Sequence, residues 1–216
     1  MSAPASTARL ARLARLTGLY AIVGGPDPLA QAEAALLGGA RVVQLRLKDA
    51  PSGEVLAAAR RLVALARGRA LVILNDRADL AVLAGADGVH LGDEDLPVAE
   101  ARAVVGPDLL LGRSTRTLGD GVAALAAGAD HVGFGPVFAT ASKELAATPR
   151  GLAMLRQVTS RLPAPVVAIG GVGLDTIGQV AGAGAACAAV IGALFGGADP
   201  RGRAAALAAA FEAGRR

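Results

Sequence analysis

The chain has 216 residues, 53% of them hydrophobic and only 2% aromatic, with no Trp and a formal net charge of +4. That length and apolar content suit one α/β domain whose core is built from Ala, Val, Leu and Ile. So few rings for stacking on bases argue against a nucleic-acid partner, and the absence of any apolar run of ~18–20 residues argues against a membrane span, so the chain is expected to be soluble.

The basic balance, with a pI near 10.2, comes largely from Arg9, Arg12 and Arg15 at the start and Arg201, Arg203, Arg215 and Arg216 at the finish. Charge placed there is expected to decorate exposed helices and tails. Leu10, Leu13 and Leu16 recur at intervals of three, so residues 1–17 are expected to form an amphipathic helix or a loose arm. The single cysteine, Cys187, lies in the small-residue run GAGAACAAVIG and is expected to be a core residue. One cysteine has no intrachain disulfide partner, which suits a reducing cytoplasm.

From Leu19 onward one unit repeats: a short Val/Ile/Leu run, a loop, an Ala/Leu-rich helical segment and a Gly-Ala turn. The runs predict eight strands, Leu19–Val23, Val42–Leu45, Leu71–Leu74, Gly88–Leu91, Leu109–Gly112, His131–Phe134, Val166–Ile169 and Ala188–Ile191. Helical patterns such as Leu29–Leu37, Gly53–Ala66, Val98–Val104, Asp120–Ala127, Gly151–Ser160, Asp175–Ala181 and Asp199–Ala213 lie between them. Runs without alternation suit parallel strands buried on both faces. Eight such units imply a single-domain (β/α)₈ TIM barrel, with functional residues at the carboxyl ends of the strands. The rival, a doubly wound open sheet, usually carries G-x-G-x-x-G after its first strand, and IVGGPDP does not match it.

After the second strand, Gln44, Arg46 and Lys48 alternate along QLRLK and project to one side, either as an anion-binding platform or as charges reaching solvent. Asn75 and Asp76 follow the third strand, and Asp93, Glu94 and Asp95 follow the fourth. Acids on neighbouring strand ends face one rim, so Asp76 and one of the later acids are candidates for a Mg²⁺ site serving a substrate phosphate. The competing reading makes them solvated loop residues and helix caps.

Ser114, in GRSTRT, is expected near the rim after the fifth strand. The sixth strand runs into a long segment, residues 133–152, whose polar content includes Thr140, Ser142 and Lys143. A connection of that length points to ligand contact. Gly170 and Gly171 after the seventh strand, and VIGALFGG after the eighth, offer backbone N–H groups to a second anion. His90 and His131 lie in strands and are expected to be packed or hydrogen-bonded residues of the barrel.

QLRLK, NDRADLA, ADGVHLGDEDLP, GADHVGFGPVFATASK, PRGL and PVVAIGGV occur in an order and spacing that resemble the thiamine phosphate synthase family over nearly the whole chain. The resemblance implies a (β/α)₈ barrel that joins hydroxymethylpyrimidine diphosphate to a thiazole phosphate, releasing pyrophosphate. It implies that Gln44 recognises the pyrimidine, that Arg46, Lys48, Asn75 and Lys143 hold the diphosphate, and that Asp76 and Asp95 bind Mg²⁺. Ser114 would contact the pyrimidine, Thr140 and Ser142 the thiazole side, and Gly171 with the Ile191–Gly192 backbone the thiazole phosphate. An aminopyrimidine releases electron density into its exocyclic carbon, so pyrophosphate loss runs ahead of attack by the thiazole nitrogen. Mg²⁺, Arg46 and Lys143 would stabilise the departing charge.

Several positions depart from the family pattern. Asp93 stands where Gln is common, Arg116 where His is common, and Ala189 and Gly192 where serines are usual near the phosphate site. Asp93 could compete for the metal or repel the diphosphate. The second reading is the related thiazole tautomerase, favoured by GRS before position 115 and disfavoured by Arg116 and by the magnesium acids. A catalytically silent protein that binds a thiamine precursor is the third reading. A homo-oligomer is compatible with all three.

Overall fold

In the computed structural model, which describes residues 6–140 and 148–216, the apolar runs become eight strands. These are β1 (Gly18–Gly24), β2 (Val42–Arg46), β3 (Leu71–Asn75), β4 (Gly88–Leu91), β5 (Leu110–Thr115), β6 (His131–Phe134), β7 (Val166–Ile169) and β8 (Cys187–Val190). All neighbours pair in parallel, and β1 pairs with both β2 and β8, closing the barrel in sequence order. The helices are α1 (Thr7–Ala14), α2 (Pro28–Leu37), α3 (Ser52–Ala66), α4 (Ala78–Ala84), α5 (Val98–Val105), α6 (Leu118–Ala126), α7 (Gly151–Arg161), α8 (Leu174–Gly182), α9 (Gly192–Phe195) and α10 (Pro200–Gly214). Among the described residues no helix is long and apolar enough to cross a membrane.

Side-chain alternation divides the interior into two cores. Leu19, Ala21 and Val23 of β1 point outward into the layer beneath the helices, with Val43, Leu45, Val72 and Leu74. Tyr20 and Ile22 point into the barrel with Val42, Leu71, Ile73, Leu110, Val167, Cys187 and Ala189. Both faces of each strand are therefore buried, which is why the runs show no polar alternation. The Gly-Ala turns take positive φ at Gly39, Gly85, Gly128 and Gly184, each ending a helix just before a strand. Cys187 is fully buried, and burial pushes its thiol well above the ordinary range, so it is a core residue.

The N-terminal segment corrects one expectation. Residues 7–14 form α1, but Arg9 and Arg12 do not decorate a free surface. Arg9 is buried and pairs with Asp130 at 3.4 Å, while Arg12 pairs with Asp87 at 3.0 Å. Asp87 and Asp130 precede β4 and β6, so these contacts lie at the amino-terminal pole of the barrel. Leu13 and Leu16 pack against the inner core there, whereas Leu10 remains exposed.

Strand 5 corrects another. The hydrophobic run stops at Gly112, yet β5 continues to Thr115 because Ser114 pairs with Gly133 and Thr115 with Phe134. Ser114 is thus a strand residue, not a loop residue beyond the rim. Strand 8 is shifted the other way, running Cys187–Val190, and Ile191 caps the short helix α9.

Candidate active site at the carboxyl ends of the strands

The inward parity that puts Val42 in the barrel core carries Gln44 and Arg46 up the same face of β2. Gln44 is buried and fixed from both sides: the Tyr20 hydroxyl donates to its Oε1 at 3.0 Å, and its Nε2 donates to Asn75 Oδ1 at 2.8 Å. Three strands thereby present one locked polar row. Sequence reading missed Tyr20, the only tyrosine, although an aromatic hydroxyl at inward parity in an aliphatic strand is a signal that a polar partner lies across the barrel.

Immediately after β3, Asp76 adopts φ of +65°, alone among the described non-glycine residues in having a positive φ. Its N–H donates to the carbonyl oxygen of His90 at 2.9 Å, so β4 holds it in this left-handed turn. A non-glycine residue kept in this sparsely populated region suggests a functional constraint. Its carboxyl meets that of Asp95, from the loop after β4, within hydrogen-bonding distance. Asp95 Oδ2 also accepts from Gly92 N–H at 2.6 Å.

The Asp76 carboxyl is pushed up to about 6, first by burial and then by the hydrogen bond and charge of Asp95, while Lys48 and Arg46 pull it down. Two carboxyl groups and two cations thus converge at one mouth, and two acids placed side by side are a donor set that a divalent cation can take. They fit Mg²⁺, which needs only one or two carboxylates and completes its shell with phosphate and water. Among the described residues no group of three or more His, Cys, Asp or Glu could hold a metal, so the ion would depend on such outside oxygens.

Deeper in the barrel, Ser114 Oγ lies 3.1 Å from His90 Nε2. The rings of His90 and His131 sit with centroids 5.8 Å apart. Gly112 and Gly133 leave the space they occupy, since a Cβ at Gly112 would reach His90 Nδ1 at 2.6 Å and one at Gly133 would reach His90 Cε1 at 2.7 Å. Burial pushes His131 down to about 4, so it is neutral at pH 7 and part of the packing.

Across the mouth, Gly170 and Gly171 have φ of +94° and +64°. The segment after β6 crosses them closely: Phe138 N–H donates to the Gly170 carbonyl at 3.0 Å, and a Cβ on Gly171 would lie 2.7 Å from Phe138 Cβ. The glycine pair therefore has a packing role that the sequence did not suggest. Thr140 follows directly on this crossing, while Ser142 and Lys143 lie outside the described residues. Ile191 caps α9, and the first N–H groups of that helix, Gly192 among them, have no acceptor within it. The space around Gly192 is open.

Residues 19–194 match the family model described as thiamine monophosphate synthase. The chain belongs to this family. It is 69% identical to the thiamine-phosphate synthase of Anaeromyxobacter dehalogenans over 204 residues, 94% of this chain and 92% of the relative. It is 52% identical to that of Myxococcus xanthus over 179 residues, 82% of each. Among solved structures, thiamine phosphate pyrophosphorylase from Pyrococcus furiosus superposes with a TM-score of 0.83 at 34% identity, covering 92% of this chain and 98% of the other. Membership makes the protein a transferase, and the TIM barrel expected from the βα repeat is the fold both chains share.

Two departures noted in the sequence meet each other. The Asp93 carboxylate pairs with the Arg116 guanidinium.

Proposed function

We propose that the chain is a Mg²⁺-dependent thiamine phosphate synthase that couples hydroxymethylpyrimidine diphosphate to thiazole phosphate. The observation that carries this reading is the meeting of Asp76 and Asp95 carboxyls beside Lys48 and Arg46 at the carboxyl ends of the strands. Mg²⁺ held by the two carboxylates would supply a Lewis acid that neutralises charge on the diphosphate.

Arg46, Lys48 and Lys143 bind the diphosphate oxygens, with Asn75 beside them. Gln44, gripped by Tyr20 and Asn75, presents a fixed edge to the pyrimidine, and Ser114 contacts the same ring. The bond from the exocyclic carbon to the diphosphate oxygen breaks, and its electron pair leaves with pyrophosphate. The thiazole nitrogen then donates its lone pair to that carbon, forming the new C–N bond. Thr140 and Ser142 position the thiazole phosphate, whose oxygens are held by Gly171 and the Ile191–Gly192 backbone. Holding the two rings face to face supplies much of the acceleration, and no covalent nucleophile is required. The buried thiol of Cys187 suits a reducing compartment, and we assign the reaction to the cytoplasm.

Mixing the purified chain with both substrates and Mg²⁺ should release pyrophosphate and form thiamine phosphate. Stabilisation by the substrates without pyrophosphate release would instead mark a silent binding protein.

A further inference from the structure

Asp93 is a third carboxylate in the segment that carries Asp95, two residues earlier in the chain. Turned toward the barrel mouth it would add its charge to Asp76 and Asp95, where a diphosphate must enter. Its partner is instead Arg116. The two pair along a groove of about 390 Å³ that borders the site at Ser114 of β5 and is also lined by Pro97 and Val98 of the α5 entry and by Asp120 and Ala123 of α6.

Arg116 is itself anchored. Its backbone N–H donates to Asp120 Oδ2 at 2.9 Å, and Asp120 forms the capping box of α6 with Thr117. The main chain of the Asp93 loop has a separate hold, since Arg113 reaches the carbonyl oxygens of Asp93 and Leu96, each at 3.4 Å. The loop's path and the direction of the Asp93 side chain are therefore set by different arginines.

Resting on the reading of Asp76 and Asp95 as the metal and diphosphate site, we propose that Arg116 is a positioning residue that draws the Asp93 carboxylate into the α5–α6 groove and away from the diphosphate. Both partners are nearly half exposed, at 45% and 44%, so the pair adds little to stability. Its consequence is electrostatic. Without Arg116 the carboxylate is released beside a subsite for anions; without Asp93 nothing needs holding. This order of dependence separates the proposal from a purely structural role, in which loss of either partner would do equal harm.

The test is calorimetric titration of the full chain with inorganic pyrophosphate in the presence of Mg²⁺, alongside thermal unfolding and substrate kinetics. Like-charge repulsion should weaken binding by about tenfold in Arg116→Ala, with Asp93→Asn and the double variant both within about twofold of the unmodified chain. KM for the pyrimidine diphosphate should rise in Arg116→Ala with little change in kcat, and the unfolding temperatures should stay together. Equal binding by Arg116→Ala and the unmodified chain would overturn the proposal. So would an Asp93→Asn variant as weak as Arg116→Ala, or a double variant no better than Arg116→Ala. An unmodified chain that turns over without this pattern sinks the role of Arg116 alone. One that binds no pyrophosphate with Mg²⁺ removes the proposed function and this inference together.

Discussion

The carboxyl groups of Asp76 and Asp95 hydrogen-bond to each other between the loops that follow β3 and β4. Burial first, and then the hydrogen bond and charge of Asp95, raise the Asp76 carboxyl from 3.8 to about 6. Between those values the folded chain keeps a proton that the unfolded chain has released, so stability falls as pH rises through that window and stays reduced above it. Asp76→Asn removes the penalty. The metal-free variant should therefore melt above the unmodified chain at pH 7, with the gap closing toward the acid end of the window. Stabilisation by Mg²⁺, which must displace the proton, should weaken below about pH 6 in the unmodified chain and be lost in Asp76→Asn, as read by thermal unfolding with and without the ion.

Gln44 joins Tyr20 to Asn75 inside the barrel, and its replacement strands both partners. Gln44→Leu should cost about 1–3 kcal/mol in urea unfolding because buried polar groups lose their bonds, while Tyr20→Phe, which removes only one donor, should cost about 0.5–1.5 kcal/mol. Gln44→Leu should also abolish coupling activity, whereas Tyr20→Phe should only reduce it.

At the opposite pole, Asp130 pairs with Arg9 and Arg102 and accepts from Leu111 N–H at 2.8 Å. Its side chain is only 10% exposed. Asp130→Ala leaves these groups uncompensated and should destabilise the fold by about 3–5 kcal/mol. Because the contact is far from the barrel mouth, KM for both substrates in the folded fraction should be unchanged.

Gly112 makes room for two imidazole rings. A Cβ there would lie 2.6 Å from His90 Nδ1 and press on His131. Gly112→Ala should cost about 1–3 kcal/mol through overpacking. It should also lower kcat by displacing His90 from Ser114, which parallel unfolding and kinetic measurements would separate.

The βα rhythm was readable because each strand is buried on both faces and each helix-to-strand turn carries a glycine, features that local composition records directly. The acids and cations were readable for a related reason: once strands are placed, their carboxyl ends must share one rim. What escaped were partnerships between distant residues. Nothing near Arg9 announces Asp130, and nothing near Asp93 announces Arg116, because barrel closure alone brings them together. Ser114 falls beyond the strand that hydrophobicity predicts, which ends at Gly112, while the ladder to β6 continues through polar residues. The glycine pair at 170–171 read as a phosphate cradle, and its packing against Phe138 needed the path of the chain after β6.

The most direct measurement is a crystal structure of the protein with Mg²⁺ and pyrophosphate. The expected result is one ion bound by carboxylate oxygens of both Asp76 and Asp95 at about 2.1 Å, with pyrophosphate bridging it to Arg46 and Lys48. An ion and pyrophosphate bound elsewhere, with the two carboxyls still bonded to each other, would contradict the assignment.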